Sequence, residues 1–450
     1  MRIHFIAIGG SIMHSLAIAL KEAGHTVSGS DDQIYDPARS KLEKHGILPE
    51  EEGWNPEKIS EDLDAVILGM HAFHDNPELA RAKELGIPTY SFPEFIYQHS
   101  RNKHRIVIAG SYGKTTVTSM VIHVLEKAGR AFDFLVGASL PGLDNSVRLS
   151  EEAPVIILEG DEYLASKLDP RPKFLLYKPH MVVINGISWD HINVFETEEK
   201  YHKQFKDLLD CIKKAGTVIY NKEDVILAAM AEDYIQDESL YVYDFTTPKY
   251  EIGHKGFTIE LEGEKQLLSV IGKHNMQNVR AAWMVCQLLG VEIRDFLDFM
   301  ADFKGASSRL ELFHEQEERI IYKDFAHAPA KVQATVQAVR EKFKERKLVA
   351  CVELHTFSSL NQKFLPHYKD TLEHADHKIV FVDPHATEKR KMQPISKDDL
   401  VQGFGDDSLI YVKNADELLS ALSRFHAEKD VLLMMSSGNF GGLDWEELKK

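Results

Sequence analysis

The chain has 450 residues, of which 44% are hydrophobic and 27% are charged, and its formal net charge is −17. This length exceeds what one hydrophobic core usually organises, so two or three domains of roughly 100 to 200 residues are expected. The negative charge argues against general nucleic-acid binding, because phosphate backbones favour basic surfaces, and no apolar run approaches the roughly 18 residues of a membrane span.

The first hundred residues alternate strand and helix patterns, which predicts a parallel sheet with helices on its faces. Strands are predicted at 3–8, 26–29, 64–69 and 87–90, and helices at 13–23 and 76–85. The first turn carries Gly9 and Gly10, and Asp31 follows about twenty residues later, an arrangement similar to a dinucleotide fingerprint. The third glycine of that fingerprint is missing, so an NAD site competes with a site for another nucleotide and with a plain tight turn.

The most specific motif is a glycine loop between a predicted strand at 106–109 and a predicted helix. Its sequence is Gly110-Ser111-Tyr112-Gly113-Lys114-Thr115-Thr116. Backbone N–H groups of such a loop converge on phosphate oxygens, Lys114 can neutralise their charge, and the Thr115 hydroxyl can bind Mg²⁺. The chain is therefore expected to use ATP or GTP.

Two polar clusters follow predicted strands at 155–158 and 181–184. Glu159-Gly160-Asp161-Glu162 ends the first strand, and Asn185 to Asp190-His191 ends the second. Ligands of open α/β sheets bind at the carboxyl ends of the strands, and Mg²⁺ prefers oxygen ligands. The carboxylates are predicted to contribute to a magnesium site, although an acidic cluster of this kind is often only a solvated loop.

The remaining pattern extends the α/β alternation into two further domains. A strand is predicted at 217–220, a small antiparallel insertion at 241–270 and a helix at 275–289. A third unit then shows strands at 310–313, 319–322, 348–352, 378–381 and 431–435, with a helix at 330–343. The predicted architecture is three α/β domains in series, at 1–102, 103–304 and 305–450.

Three further motifs are each unspecific when taken alone. They are Gly272-Lys273-His274-Asn275-Met276-Gln277-Asn278, Ser308-Arg309-Leu310-Glu311 and Asp324-Phe325-Ala326-His327-Ala328-Pro329. Taken in order with the glycine loop, Glu159 to Glu162 and Asp190-His191, they make the chain resemble the Mur ligase family over almost its whole length.

The resemblance implies an ATP-dependent ligase that joins a carboxylate to an amine through an acyl phosphate, releasing ADP and phosphate, in bacterial cell-wall synthesis. It implies a Rossmann-like N-terminal domain for a UDP-sugar, a phosphate-loop central domain for ATP and an α/β C-terminal domain. Reduced Cys211, Cys286 and Cys351 also suit a cytoplasmic enzyme. The protein is expected not to insert into membranes and to be a monomer or a dimer.

The resemblance also assigns residue roles. Lys114, His191 and Arg309 would be catalytic, and Thr115, Glu159 and His191 would bind Mg²⁺. ATP would be bound by Gly110, Ser111, Gly113, Lys114, Thr115, Thr116, Asn275, Asn278, Arg309 and Asp324. UDP-N-acetylmuramate would be bound by Gly10, Ser11, Ile12, Met13, Asp31 and His71. Some relatives carry a carbamylated lysine after the Asp-His motif, and neither Lys203 nor Lys206 is assigned that role.

Two amine substrates are compatible with this acceptor. The tracts 161–179 and 190–205 are similar to the branch that attaches the recycled tripeptide L-alanyl-γ-D-glutamyl-meso-diaminopimelate, and the alternative is L-alanine. The sequence departs from the family pattern at His14, Gly160 and Ala328 and in the absence of an arginine in 353–361. The last departure bears on the choice, because it lies in the domain expected to bind the peptide. Two readings of other classes are a nicotinamide dehydrogenase built on the first domain and a nucleotide-binding regulator without chemistry.

Overall fold

A computed structural model describes residues 1–70, 72–140, 142–192, 194–253, 256–306, 309–425 and 429–449. The chain divides into two compact units. The first contains Met1–Ile187 and His202–Phe245, and the second contains Ser188–Tyr201 and Thr246–Lys450. No helix in the described ranges is long and apolar enough to cross a membrane.

The first unit begins with a four-stranded parallel sheet in the order β2-β1-β3-β4. Its strands are β1 (Arg2–Ile6), β2 (Thr26–Ser30), β3 (Ala65–Leu68) and β4 (Thr89–Ser91), and its helices are α1 (Ser11–Glu22), α2 (Ala38–Lys44), α3 (Pro77–Glu84) and α4 (Phe92–His99). The predicted α3 is confirmed, and its start has a local cause: the Asn76 side chain accepts the N–H groups of Glu78 and Leu79, and Pro77 occupies the first turn.

A seven-stranded sheet completes the first unit, in the order β11-β10-β9-β5-β8-β6-β7. Its strands are β5 (His104–Ala109), β6 (Asp133–Leu135), β7 (Val147–Arg148), β8 (Val155–Glu159), β9 (Met181–Ile184), β10 (Thr217–Asn221) and β11 (Tyr241–Phe245). The accompanying helices are α5 (Lys114–Lys127), α6 (Lys173–Tyr177), α7 (Glu198–Asp210) and α8 (Val225–Ile235), and the boundary between the units falls within α7.

The expectation of an antiparallel insertion over 241–270 is partly wrong. β11 pairs in parallel with β10 and forms the edge of the seven-stranded sheet. Only the three strands after it are antiparallel: β12 (Lys249–Gly253), β13 (Gly256–Leu261) and β14 (Glu264–Leu268). The pattern of β11 misled because an edge strand exposes side chains such as Tyr241 and Tyr243, which makes it resemble a hairpin strand.

The second unit continues with α9 (Lys273–Leu288) and α10 (Ile293–Met300) and contains a six-stranded sheet in the order β15-β16-β20-β17-β18-β19. Its strands are β15 (Glu311–Glu315), β16 (Arg319–Asp324), β17 (Lys347–Glu353), β18 (His377–Phe381), β19 (Ile410–Val412) and β20 (Asp430–Met435). Its helices are α11 (Pro329–Lys342), α12 (Pro384–Lys389), α13 (Lys397–Phe404) and α14 (Ala415–Leu422). Only β15 runs antiparallel to its neighbour, so the other strands end at one common edge.

A buried ion pair joins the starts of β16 and β20. The Arg319 guanidinium donates to both carboxylate oxygens of Asp430, at 3.1 Å and 2.8 Å, and both residues are buried. We expect Arg319→Leu to lower the free energy of unfolding by about 3 kcal/mol, because it leaves a buried carboxylate without its partner. Urea unfolding measures this.

The exposed pair Arg294–Glu264 provides the control. Arg294→Leu should cost no more than about 1 kcal/mol, as is typical for surface ion pairs, and the double variant Arg319→Leu/Asp430→Leu should recover stability. If Arg319→Leu and Arg294→Leu lose equal free energies of unfolding, the buried pair contributes no more to stability than the exposed pair.

Candidate active site

The glycine loop lies at the carboxyl end of β5, between the ends of two other parallel strands. β5 pairs with β8 on one side and with β9 on the other. Glu159 therefore ends the strand on one side of the loop, and Asn185 and Gly186 follow the strand on the other. Glu159 and the pair Asn185-Gly186 therefore flank the loop, as ligand sites of open α/β sheets do.

The backbone of the loop explains its two glycines. Gly110 has φ +126°, and a Cβ atom there would lie 2.9 Å from the carbonyl oxygen of Gly186. That carbonyl accepts the backbone N–H of Ser111 at 2.8 Å. Gly113 has φ +77° and caps α5, so the free N–H groups of the first helical turn face the loop. This arrangement suits an anion at the start of α5.

Lys114 is held inside the loop as a charged group. Its Nζ donates to the carbonyl oxygen of Gly110 at 2.5 Å and to Oε2 of Glu162 at 2.7 Å. Burial by itself would lower the pKa of Lys114, but the carboxylates of Glu162, Asp161 and Glu159 outweigh burial and raise it. Sequence reasoning missed Glu162 as the partner of this lysine, and the Glu162 side chain is fully buried.

Thr115 and Glu159 place two oxygen donors side by side. The Thr115 hydroxyl donates to Oε1 of Glu159 at 2.7 Å, and Oε2 of Glu159 accepts the N–H of Gly137 at 2.6 Å. A hydroxyl and a carboxylate are the hard ligands that Mg²⁺ prefers, so this pair fits the ion. Within the described residues, no group of three or more His, Cys, Asp or Glu is arranged to hold a metal. The third predicted ligand, His191, lies in the second unit and stays a prediction.

The turn after β1 is built around the carboxylate of Asp31. Oδ2 of Asp31 accepts the N–H of Gly9 at 2.7 Å, and Oδ1 accepts the N–H of Asp32 at 2.9 Å. Asp31 is only 2% exposed, and its two carboxylate oxygens hold the backbone of this turn. Of the other predicted residues, Gly10 and Ser11 are exposed at the start of α1, Ile12 is half-buried and Met13 is buried. His71 lies outside the described residues.

Asn275 and Asn278 lie together in the first turns of α9. Nδ2 of Asn278 donates to Oδ1 of Asn275 at 3.2 Å, and Nδ2 of Asn275 donates to the carbonyl oxygen of Ile271 at 2.8 Å. Both side chains are buried. The prediction that the two amides share one side of the helix is consistent with this contact, and their role toward ATP stays a prediction.

Asp324 and Arg309 form a second polar group at the carboxyl end of β16. Oδ2 of Asp324 accepts the N–H of Leu310 at 2.5 Å, and Oδ1 accepts the N–H of Ala326 at 2.6 Å. The Arg309 guanidinium lies 4.3 Å from the centre of the Phe325 ring. Burial raises the pKa of Asp324, although the Arg309 charge acts in the opposite direction.

Asp190 and His191 lie beside residues of α11 that sequence reasoning missed. Nζ of Lys331 donates to Oδ2 of Asp190 at 3.2 Å. Burial would raise the pKa of Asp190, but Lys331, His191 and His327 outweigh burial and hold it well below its usual range. Burial and the Lys331 charge lower the pKa of His327 to about 4, so its ring is neutral at pH 7. Asp190-His191 and His327 belong to motifs that the sequence showed, whereas Lys331 belongs to none and is distant along the chain from Asp190.

A buried carboxylate also ends β17. Glu353 accepts the hydroxyl of Ser436 and the N–H of Phe440, the latter at 2.9 Å, and His355 lies 3.7 Å from its other oxygen. These residues occupy the common strand edge of the six-stranded sheet. They are candidates for the part of the third domain that meets the amine substrate.

Lys203 and Lys206 lie on an exposed helix surface and not in a buried site. Both lie on α7, and they form (i, i+4) ion pairs with Asp207 and Asp210. The Lys203 side chain is 65% exposed and that of Lys206 is 50% exposed. Neither position suits a carbamylated lysine that bridges metal ions.

Sequence profiles of three domains match consecutive parts of the chain. The profile described as "Mur ligase family, catalytic domain" matches residues 2–104, that of the "Mur ligase middle domain" matches residues 108–286, and that of the "Mur ligase, glutamate ligase domain" matches residues 308–438. The three-domain α/β architecture predicted from the sequence is confirmed, while the limits 1–102, 103–304 and 305–450 stay predictions.

The relatives differ in the amine substrate that their names give. The UDP-N-acetylmuramate–L-alanine ligase of Caldanaerobacter subterraneus subsp. tengcongensis is 29% identical over 97% of this chain and 95% of its own. The UDP-N-acetylmuramate–L-alanyl-γ-D-glutamyl-meso-2,6-diaminoheptandioate ligase of Escherichia coli is 31% identical over 76% of each chain. The crystal structure of a murein peptide ligase from Psychrobacter arcticus has the same fold, with a TM-score of 0.67, 23% identity, and coverage of 100% of this chain and 98% of that one.

Proposed function

Because the chain belongs to the Mur ligase family of ATP-dependent, amide-forming ligases, we propose that it joins UDP-N-acetylmuramate to L-alanyl-γ-D-glutamyl-meso-diaminopimelate. The carboxylate of the sugar is activated by ATP as an acyl phosphate, and the peptide amine then displaces phosphate. The observation that carries the ligase chemistry is the glycine loop, with charged Lys114 inside it and the Thr115–Glu159 oxygen pair beside it.

The loop residues manage charge in this reaction. Lys114 exchanges the Glu162 carboxylate for phosphate oxygens, and N–H groups at the start of α5 donate to the same oxygens. Thr115 and Glu159 would hold Mg²⁺, which would neutralise phosphate charge. Lys114 keeps its proton throughout, because the three nearby carboxylates raise its pKa.

The acceptor binds at the turn after β1. The N–H group of Ser11 at the start of α1 suits a diphosphate oxygen, while that of Gly10 donates to the carbonyl oxygen of Ala7 at 3.5 Å, and the backbone around Asp31 shapes the turn that receives the diphosphate. Ile12, Met13 and His71 complete the proposed UDP-sugar site. The nicotinamide alternative has less support, since both Asp31 oxygens are already engaged by backbone N–H groups.

The second unit supplies the remaining proposed groups. Asn275 and Asn278 bind the adenine side of ATP, and Asp324 and Arg309 bind its ribose and phosphates. His191 would help to hold a second Mg²⁺, which would neutralise negative charge.

We prefer the tripeptide over L-alanine as the substrate because of two sequence tracts, 161–179 and 190–205. The tract 161–179 is a folded segment directly after Glu159, with the Lys173 ammonium 2.5 Å from a carboxylate oxygen of Asp161 and Ala165 bonded to Arg171 through the backbone. Its resemblance to the tripeptide-attaching branch, and the Escherichia coli relative that acts on that tripeptide, support the choice. The L-alanine ligases among the relatives support the alternative.

The cellular setting follows from the substrates. We place the reaction in the cytoplasm, where both nucleotides and recycled peptides are soluble, and we expect no nucleic-acid partner for a chain with a net charge of −17. The active species is a monomer or a dimer.

A coupled assay of ADP release tests the ligase proposal. Purified protein with ATP, Mg²⁺ and UDP-N-acetylmuramate should release ADP when tripeptide is added, and should not when either the sugar or the amine is left out. Absence of ADP release with every amine would support a nucleotide-binding regulator instead, and tight NADH binding would support a dehydrogenase.

A further inference from the structure

His191 lies in a strained turn. Its φ is +56°, in the left-handed region that residues with a side chain seldom adopt. Its backbone N–H donates to Oδ1 of Asp190 at 2.7 Å, and its carbonyl oxygen accepts the N–H groups of Val194 and Phe195, both at 2.9 Å. Such a conformation persists only where surrounding contacts enforce it.

Contacts on both sides of His191 come from residues far along the chain. Lys331 binds Asp190 on one side, and on the other the Ser358 hydroxyl accepts the N–H of Ile192 at 3.3 Å. The ring of Trp189 packs edge-on against Phe364, with centroids 5.9 Å apart. Ser188–Tyr201 accordingly groups with Thr246–Lys450 in one compact unit, although it falls within the middle-domain profile.

Lys331 is the electrostatic partner in this arrangement. Asp190 is 5% exposed, and within the described ranges Lys331 is the lysine or arginine that forms a salt bridge with it. One Asp190 oxygen therefore binds a third-domain cation while the other binds the backbone of His191.

We propose that Lys331 is a positioning residue for the ligase reaction: by holding Asp190, it fixes the turn that orients His191. Helix α11 would then orient His191 within the same compact unit, so that His191 is correctly oriented only while that helix is in place. This inference rests on the proposed function for its catalytic meaning, but its structural part can be measured without any substrate.

Hydrogen exchange of the unliganded protein tests the structural part. In Lys331→Met, the backbone amides of His191, Val194 and Phe195 should exchange at least about tenfold faster than in the wild type. Lys331→Arg should restore most of the protection, because it keeps the charge. The control Lys200→Met removes an exposed lysine that pairs with Glu196, and it should leave these amides unchanged.

Kinetics separate positioning from a general structural role. Lys331→Met should lower kcat about tenfold or more while the KM for ATP changes less than about twofold, since the glycine loop is intact. If Lys331→Met does not fold, Asp190→Asn/Lys331→Met removes both charges and should fold, with the His191 amide still exchanging fast.

Wild-type exchange at these amides in a folded Lys331→Met or double variant would overturn the inference, even if the wild-type protein is an active ligase. Failure of the wild type to ligate any amine, together with the expected exchange result, would instead count against the proposed function alone.

Discussion

Replacing Lys114 with methionine is expected to lower kcat on the order of 10³-fold, the effect of removing one preorganised charge from a phosphoryl-transfer site. Among the described residues, Lys114 is the lysine whose ammonium lies inside the glycine loop. Its Nζ is 2.5 Å from the Gly110 carbonyl oxygen. Steady-state kinetics of ADP release, with circular dichroism to confirm folding, provide the measurement.

The partner of Lys114 complicates this variant. Lys114→Met leaves Glu162 buried without its cation, which can cost several kcal/mol of stability by itself. Lys114→Met/Glu162→Gln removes both charges and should fold while staying inactive. Lys127→Met, at the exposed end of the same helix, should keep normal activity. A folded double variant with near wild-type kcat would refute the role of the loop.

Glu159→Ala is expected to lower kcat on the order of 10³-fold and to raise the Mg²⁺ concentration needed for half-maximal rate, because a metal ion contributes several kcal/mol to such a step. The Glu159 carboxylate lies 2.7 Å from the Thr115 hydroxyl. Among the described residues, no other side chain forms a hydrogen bond with it. Magnesium titration of the rate measures both effects.

Two further variants make the Glu159 test specific. Glu159→Asp keeps a carboxylate on a shorter side chain, so added Mg²⁺ should restore part of the activity of this variant. Glu126→Ala removes an exposed carboxylate of α5 that pairs with Arg148, and its titration should match the wild type. An unchanged Mg²⁺ requirement in Glu159→Ala would contradict the assignment of this residue to the metal.

Local chemistry explains the parts of the fold that the sequence predicted well. β9 was predicted at its observed limits, Met181–Ile184, because a fully buried parallel strand appears as an unbroken apolar run. The predicted start of α3 agrees because Asn76 and Pro77 fix it locally. The strands β6, β7 and β19 were missed, since each spans only two or three residues and shows no periodicity.

Long-range pairing explains the parts of the site that the sequence did not show. The glycine loop and Glu159 were predictable because contiguous motifs carry them. Glu162 as the partner of Lys114, and Lys331 as the partner of Asp190, depend on contacts across 48 and 141 residues of chain. No spacing rule connects such pairs, because they become neighbours only when the chain has folded.

We propose that this ligase prefers the diaminopimelate tripeptide to L-alanine, and this preference can be measured with purified protein. Its most direct test is a competition: the protein receives ATP, Mg²⁺, UDP-N-acetylmuramate and equal concentrations of the tripeptide and L-alanine, and the UDP-linked products are weighed by mass spectrometry. We expect UDP-N-acetylmuramyl-tripeptide to be the dominant product. UDP-N-acetylmuramyl-L-alanine, formed efficiently and without the tripeptide product, would contradict it.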